Sequence, residues 1–265
     1  MSANIRLEEF KKSLQTRHFG KCIFFSREVN STSDWAKELA ETGAEEGTVT
    51  LAQAQTAGRG RLGREWISPK GGLWFSIVLR PYQKASDAMK LVFVASLVVA
   101  EILSEKYGLR TETKWPNDVL VNGKKICGVL AEMSTKGEKV NYVILGVGVN
   151  ANFCAHNVLS ESVKTTATSI QDELGKKIRL ESLFRALLGE MERSYDRYVE
   201  AGFVPLLERW KRHAGFLGQM VVVTDQNERL NGLALDVDLE GALILRLEDG
   251  TVRRIVVGDV VLGKR

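Results

Sequence analysis

The chain has 265 residues, 44% hydrophobic, 8% aromatic and 26% charged, with 37 Lys plus Arg against 33 Asp plus Glu and a net charge of +4. That composition supports a large packed core, or a core domain with a small appendage, and excludes a disordered chain; 4 prolines and 24 glycines exclude collagen-like and low-complexity sequences. The basic excess is too small to announce a nucleic-acid protein, and no basic run stands out along the chain.

Cys22, Cys127 and Cys154 are far apart and odd in number, so no disulfide framework follows from them, and they read as small buried residues in a reducing compartment. His18, His156 and His213 are too scattered for a zinc site. The N-terminus has no apolar signal core, and the longest apolar run, Leu91 to Ala100 broken by Ser96, falls short of the roughly 20 residues of a membrane span. A soluble cytoplasmic protein without membrane contact is expected.

In chain order, Leu7–Thr16 has weak helical character within an N-terminal segment (residues 1–20) that is either a tail or a short helix. Lys21–Phe25 reads as a strand. Ser31-Thr32-Ser33-Asp34 then offers a cluster of capping side chains to a helix bearing Trp35, Leu39 and Ala40, which Gly43 ends. Thr48–Gln53 and Gly72–Leu79 read as strands. Ser86-Asp87 is expected to cap a helix running to about Tyr107, apolar nearly all round and therefore in the core, closed by Gly108. Val119–Val121 and Ile126–Met133 flank Asn122-Gly123, a strong hairpin signal, and Val140–Val149 is a further strand. Glu181–Val199 and Phe203–Ala214 read as amphipathic helices. Beyond Gly215 the segments Met220–Thr224, Leu230–Val237, Ala242–Leu247 and Thr251–Val257, near or between Gly-containing turns, suggest a small closed barrel. The organisation expected is an α+β domain over residues 21–215 and a small β domain over 216–265.

Three constellations carry chemistry. Gly58-Arg59-Gly60-Arg61-Leu62-Gly63 formally matches a dinucleotide fingerprint, but Pro69, Gly71 and Gly72 stop any helix that would hold a pyrophosphate. What remains is a mobile loop bearing Arg59, Arg61 and Arg64, whose guanidinium forks suit phosphate or carboxylate oxygens, set against the bland reading of a solvated basic turn. Lys114-Trp115-Pro116-Asn117-Asp118 is either a tight turn bonding its own backbone or a set of contacts to a polyphosphate and its Mg²⁺. Lys125 stands at the mouth of an apolar strand containing Gly128, and Gly146 and Gly148 open gaps in another. Those gaps either seat a helix closely on the sheet or form a flat slot for a thin ligand.

Four motifs in order, GRGRLGREW at Gly58–Trp66, KWPNDV at Lys114–Val119, GKKICGVLAE at Gly123–Glu132 and GVGVN at Gly146–Asn150, give the chain a resemblance to biotin protein ligases from about Cys22 to the C-terminus. The resemblance implies a mixed-sheet catalytic domain of the class II synthetase / biotin–lipoate ligase type and a C-terminal SH3-like β-barrel. It implies formation of biotinyl-5′-AMP from biotin and ATP with Mg²⁺, then transfer of biotin to one lysine of a biotin carboxyl carrier protein, from acetyl-CoA carboxylase or a related carboxylase.

By the same resemblance Ser31, Thr32 and Gln55 face biotin's ureido head, together with Ser33, where the family usually has Asn. Gly58, Arg59, Gly60, Arg61 and Gly63 match the loop over the biotin tail and adenylate phosphate. Gly128, Gly146 and Gly148 line the biotin slot. Lys125 matches the catalytic lysine, with Arg61 and Arg59 beside it. Arg64, Trp66, Lys114, Asn117, Asp118 and Asn150 match the nucleotide side; Mg²⁺ is expected through the phosphates, with Asp118 as a further ligand. About twenty residues precede the catalytic domain, too few for the winged helix-turn-helix of repressor members, so no DNA binding is expected. The family includes both monomers and homodimers. A lipoate protein ligase shares the fold and the adenylate chemistry. A non-catalytic nucleic-acid-binding protein is the rival from another class, and it leaves KWPND and the strand glycines without a purpose.

Overall fold

The computed structural model describes residues 7–160, 163–224 and 228–262. Helix α1 (Leu7–Ser13) comes first, and its Phe10 stacks on Phe184 in the core. Strand β1 (Ile23–Val29) leads into α2 (Thr32–Glu41) and back into β2 (Val49–Gln55) as a parallel pair. The Ser31 hydroxyl accepts from the Asp34 N–H at 3.3 Å and so caps α2. A loop with a 3₁₀ turn at Arg61–Gly63 precedes β3 (Leu73–Leu79).

Then come α3 (Ala85–Ala88), α4 (Leu91–Tyr107), β4 (Thr111–Lys114), β5 (Asp118–Val121), β6 (Lys124–Lys136) and β7 (Lys139–Val149). The order across this seven-stranded sheet is β1-β2-β3-β7-β6-β5-β4, antiparallel except for β1–β2. Short helices α5 (Ala155–Val158) and α6 (Ile170–Leu174) lead to α7 (Leu180–Ala201) and α8 (Phe203–Arg212). Strands β8 (Met220–Thr224), β9 (Arg229–Val237), β10 (Leu243–Leu247), β11 (Val252–Ile255) and β12 (Asp259–Leu262) form a second, antiparallel sheet in the order β11-β10-β9-β8-β12.

The strand period of two sorts side chains between the faces of the large sheet. Leu73, Phe75, Ile77 and Leu79 of β3, Cys127 and Val129 of β6, and Leu145, Val147 and Val149 of β7 join one cluster with α4 and α7. Over Leu91–Ala100 helix α4 is apolar on nearly every side because that stretch is enclosed, and the Ser96 within it accepts the buried Trp210 indole N–H at 3.1 Å. Gly108, at φ 68°, ends it in the left-handed conformation that glycine adopts without strain. Helix α2 covers part of the opposite face through Ala36 and Ala40 on Val78, Tyr142 and Ile144. The remainder of that face is where the glycines lie.

Several expectations need correction. The helix expected from Ser86 to Tyr107 is two: α3 stops at Ala88, Lys90 folds back to Asp87 at 2.8 Å, and α4 begins at Leu91. Strand β4 was not foreseen, because Thr111–Lys114 is short and polar and gains its pairing only from β5. The segment Thr251–Val257 is a strand only to Ile255, and a separate β12 follows it. No backbone ladder joins β11 to β12 among the described residues, so the small sheet keeps two open edges rather than closing fully. The Asn122-Gly123 hairpin is as expected, with both residues at positive φ. No helix among the described residues is long and apolar enough to cross a membrane; Cys22, Cys127 and Cys154 are unpaired, but only Cys127 is buried as expected, with Cys22 exposed and Cys154 partly so.

Candidate active site

At one end of the open sheet face lies a cluster of hydroxyls and one amide. The Thr32 N–H and hydroxyl both donate to Gln55 Oε1, at 2.7 and 3.0 Å, and Gln55 Nε2 donates to Ser68 Oγ at 2.7 Å. Thr32 and Ser33 sit 2.9 and 3.1 Å from Ser76 Oγ. The α2 N-terminus supplies Ser31, Thr32 and Ser33, the end of β2 supplies Gln55, and all three hydroxyl residues are buried. The group can both donate and accept, as a ring carrying one carbonyl and two N–H groups requires.

Next to it runs a strip without side chains. Gly128 pairs directly with Gly148, and Gly146 with Ser76, so the gaps in β6 and β7 are adjacent across the sheet. Helix α4 packs on the other face, which leaves the strip to something else. Trp66 lies across it: a Cβ on Gly148 would come within 2.5 Å of the indole Nε1, and one on Gly128 within 3.1 Å of the ring. The Nε1–H is buried and finds no acceptor among the described residues.

At the far end the cations gather. Lys125 Nζ is 2.7 Å from Asp118 Oδ1 and 5.0 Å from the centre of the Trp66 ring. Its backbone is clamped on both sides: its N–H donates to the Thr166 carbonyl at 2.8 Å and its carbonyl accepts from Thr168 at 2.9 Å. Lys114 Nζ lies 3.5 Å from Asp118 Oδ2. Arg61 donates to Asn117 Oδ1 and to the Gly258 carbonyl, each at 3.1 Å, and lies 3.6 Å from Asp259, which also ion-pairs with Arg64. Burial lowers the Arg61 pKa from its ordinary value, opposed by Asp259 and Asp118, but a guanidinium stays charged at neutral pH regardless. Lys114, Lys125, Arg61 and Arg64 outnumber Asp118 and Asp259 two to one, so this end attracts anions.

Every site residue expected from the sequence, other than Gly58 and Gly63, lines one cavity of about 720 Å³. Gly58 sits at the base of the loop, where a Cβ would lie 2.3 Å from the Trp66 carbonyl, so only glycine lets the loop close there. Gly63 is at the loop tip with φ 73°. Arg59 lines the cavity, yet its guanidinium is engaged by Asp34 and Glu132. The Asn117 and Asn150 amide groups donate to the carbonyls of Val129 and Thr168, which makes both residues braces of the local backbone. The sequence reading missed Ser68, Ser76 and Asp259. A lone hydroxyl within the apolar run GLWFSIVL was the available signal for Ser76; Asp259 had none.

This geometry has close counterparts. The sequence profile of the Biotin/lipoate A/B protein ligase family matches residues 25–150, and that of the Biotin protein ligase C terminal domain matches residues 216–263. The chain is 36% identical over 256 residues to the bifunctional ligase/repressor BirA of Bacillus subtilis, covering 96% of this chain and 78% of that protein. It is 36% identical over 220 residues to the biotin–[acetyl-CoA-carboxylase] ligase of Paracoccus denitrificans, covering 82% and 91%. The chain belongs to the biotin protein ligase family. Among solved members, the ligase of Aquifex aeolicus in complex with biotin and ATP superposes with a TM-score of 0.79 at 29% identity, over 92% of this chain and all of that one. The segment matched as the C-terminal domain contributes Asp259 to the cavity lining and the Gly258 carbonyl that holds Arg61, so the site draws on both matched segments.

Proposed function

We propose that this chain is an ATP-dependent biotin protein ligase that works in two steps within the one cavity. In the first, a biotin carboxylate oxygen attacks the α-phosphorus of ATP, and the bond to the β-phosphate oxygen breaks, giving biotinyl-5′-AMP and pyrophosphate. In the second, the ε-amine of a carrier lysine attacks the acyl carbon, loses a proton, and AMP leaves. Both steps depend on alignment and on neutralising charge at the phosphate. The observation that carries this reading is a side-chain-free strip between a hydroxyl–amide cluster and a cluster of cations, in the order in which biotin's head, its rings and its activated carboxylate would lie.

Ser31, Thr32, Ser33 and Gln55 take the ureido head. Gly128, Gly146 and Gly148 floor the ring site once Trp66 swings out, and the freed indole then faces the adenine. Lys125 neutralises the carboxylate and α-phosphate, and Arg61, Arg64 and Lys114 bind the phosphates. Asn117 holds Arg61, and Asn150 holds the turn beside Lys125. Arg59 leaves Asp34 and Glu132 for the ligand when the loop closes. Mg²⁺ enters with ATP. No cluster of three His, Cys, Asp or Glu side chains exists among the described residues, and Asp118 is shared by two lysines. The ATP phosphates would be the ion's main ligands, with Asp118 the nearest protein carboxylate, and the ion would supply charge neutralisation there.

The acceptor is a biotin carboxyl carrier protein of acetyl-CoA carboxylase or a related carboxylase, as the name of the Paracoccus relative suggests. Three unpaired cysteines agree with a reducing, cytoplasmic setting. Incubation with ATP and a carrier domain should add one biotin to one lysine, read by intact mass, and no lipoate under the same conditions. Preferential lipoyl transfer would overturn the choice of acyl group. Arg61→Ala should raise labelling of bystander lysines about 10–150-fold, because a phosphate contact of that kind is worth roughly 1.5–3 kcal/mol. Bystander labelling equal to wild type would remove Arg61 from retention of the intermediate.

A further inference from the structure

Asp259 begins β12, where it pairs with Thr224 of β8, nearly two hundred residues beyond the loop it touches. Its carboxylate serves Arg61 at 3.6 Å and Arg64 at ion-pair contact, and the neighbouring Gly258 carbonyl accepts from Arg61 at 3.1 Å. The loop has little else to hold its tip. Its backbone closes on itself through Gly60 N–H to the Arg64 carbonyl and Trp66 N–H to the Gly58 carbonyl, and Leu62 at the tip is exposed with φ 57°. Tethers to the rest of the protein run through arginine side chains: Arg59 to Asp34 and Glu132, Arg61 to Asn117 and Gly258, and Arg61 with Arg64 to Asp259. Without Asp259, Arg61 and Arg64 would repel one another across the mouth of the cavity, with no shared counter-ion between them.

We infer that Asp259 is a positioning residue that ties the glycine–arginine loop to the C-terminal sheet, so that retention of the activated intermediate depends on both sheets. This inference rests on the ligase reading above. An adenylate phosphate replaces only one partner of Arg61. Once pyrophosphate has left, Arg64 pairs with Asp259 as its anchor, and the loop stays down over the ligand until the carrier arrives. Opening then requires the loop and β12 to part, which places the exit of the intermediate under the control of the C-terminal sheet.

The test uses the full chain and measures intermediate lost per intermediate formed, by bystander-lysine labelling against pyrophosphate release, with biotin, ATP and no carrier. Asp259→Asn keeps the shape of the side chain and removes its charge, and is expected to raise this ratio about tenfold, equivalent to 1.4 kcal/mol. Asp259→Glu should recover most of the retention. In an Arg64→Gln background, Asp259→Asn should add less than it does in the wild type, since the nearer of its two arginine partners is already gone. Thermal melting of each variant identifies any loss of fold, and Arg64→Gln breaks the same pair from an exposed loop without touching a strand. A ratio unchanged in Asp259→Asn, or effects that add fully in the double variant, would overturn the inference while leaving the ligase reading intact. A wild-type chain that forms no intermediate would overturn both.

Discussion

Replacing Lys125 with alanine is expected to slow adenylate formation by about 10²–10³-fold, the scale measured when one preorganised electrostatic contact to a developing charge is lost. The geometry supports so large an effect. The Lys125 backbone is clamped at Thr166 and Thr168 and its ammonium is held by Asp118 at 2.7 Å, contacts that do not depend on Trp66 and keep the charge in place for an incoming carboxylate. The substitution also leaves Asp118, a buried carboxylate, with only Lys114 at 3.5 Å, and should cost about 1–3 kcal/mol of stability. Lys125→Arg separates the two consequences. The guanidinium restores the charge beside Asp118 and hence the melting temperature, but its planar fork does not reproduce a compact ammonium against the α-phosphate, and the rate should stay at least about tenfold down. Pyrophosphate release measured with calorimetric melting checks both. A fully active Lys125→Ala would remove this lysine from the chemistry.

The second large effect is expected at the glycine strip. Gly148→Ala places a methyl group 2.5 Å from where Trp66 Nε1 now lies and narrows the floor of the ring site. Overpacking of this kind costs about 1–3 kcal/mol, which corresponds to roughly 5–150-fold weaker biotin binding by titration calorimetry. Because the strip faces the cavity rather than α4, the melting temperature should move by only a few degrees. Gly146→Ala should act differently. Its Cβ would lie 2.6 Å from Ser33 Oγ, so it disturbs the hydroxyl cluster rather than the ring site. Undiminished biotin binding by Gly148→Ala would mean that the rings do not lie on this strip.

Much of this arrangement was legible in the sequence, and what escaped did so for identifiable reasons. The apolar run of β3, the enclosed helix α4 and the Asn122-Gly123 hairpin follow from periodicity and turn chemistry, which are local. The gaps at Gly128, Gly146 and Gly148 were visible as gaps. Choosing between a helix-packing face and a ligand face required knowing which side α4 occupies, and that is settled by the alternation of Val147 and Val149 into its cluster. Strand β4 exists only because β5 pairs with it. The break at Lys90 arises from a side chain returning to Asp87, where composition alone favours one continuous helix. Asp259 is the extreme case: nothing in its own segment distinguishes it, and its partners are fixed by how the small sheet packs over the loop. The resemblance places Trp66 on the nucleotide side, and the structure shows its indole lying over Gly128 and Gly148.

In the proposed reaction this cavity joins biotin's carboxylate to the α-phosphate of ATP. Exchange of labelled pyrophosphate into ATP measures that reversible step alone, without a carrier protein. The exchange is expected to require biotin, not to be supported by lipoate, and to be lost in Lys125→Ala. Absence of exchange in the presence of biotin, ATP and Mg²⁺, or exchange that proceeds equally without biotin, would contradict it.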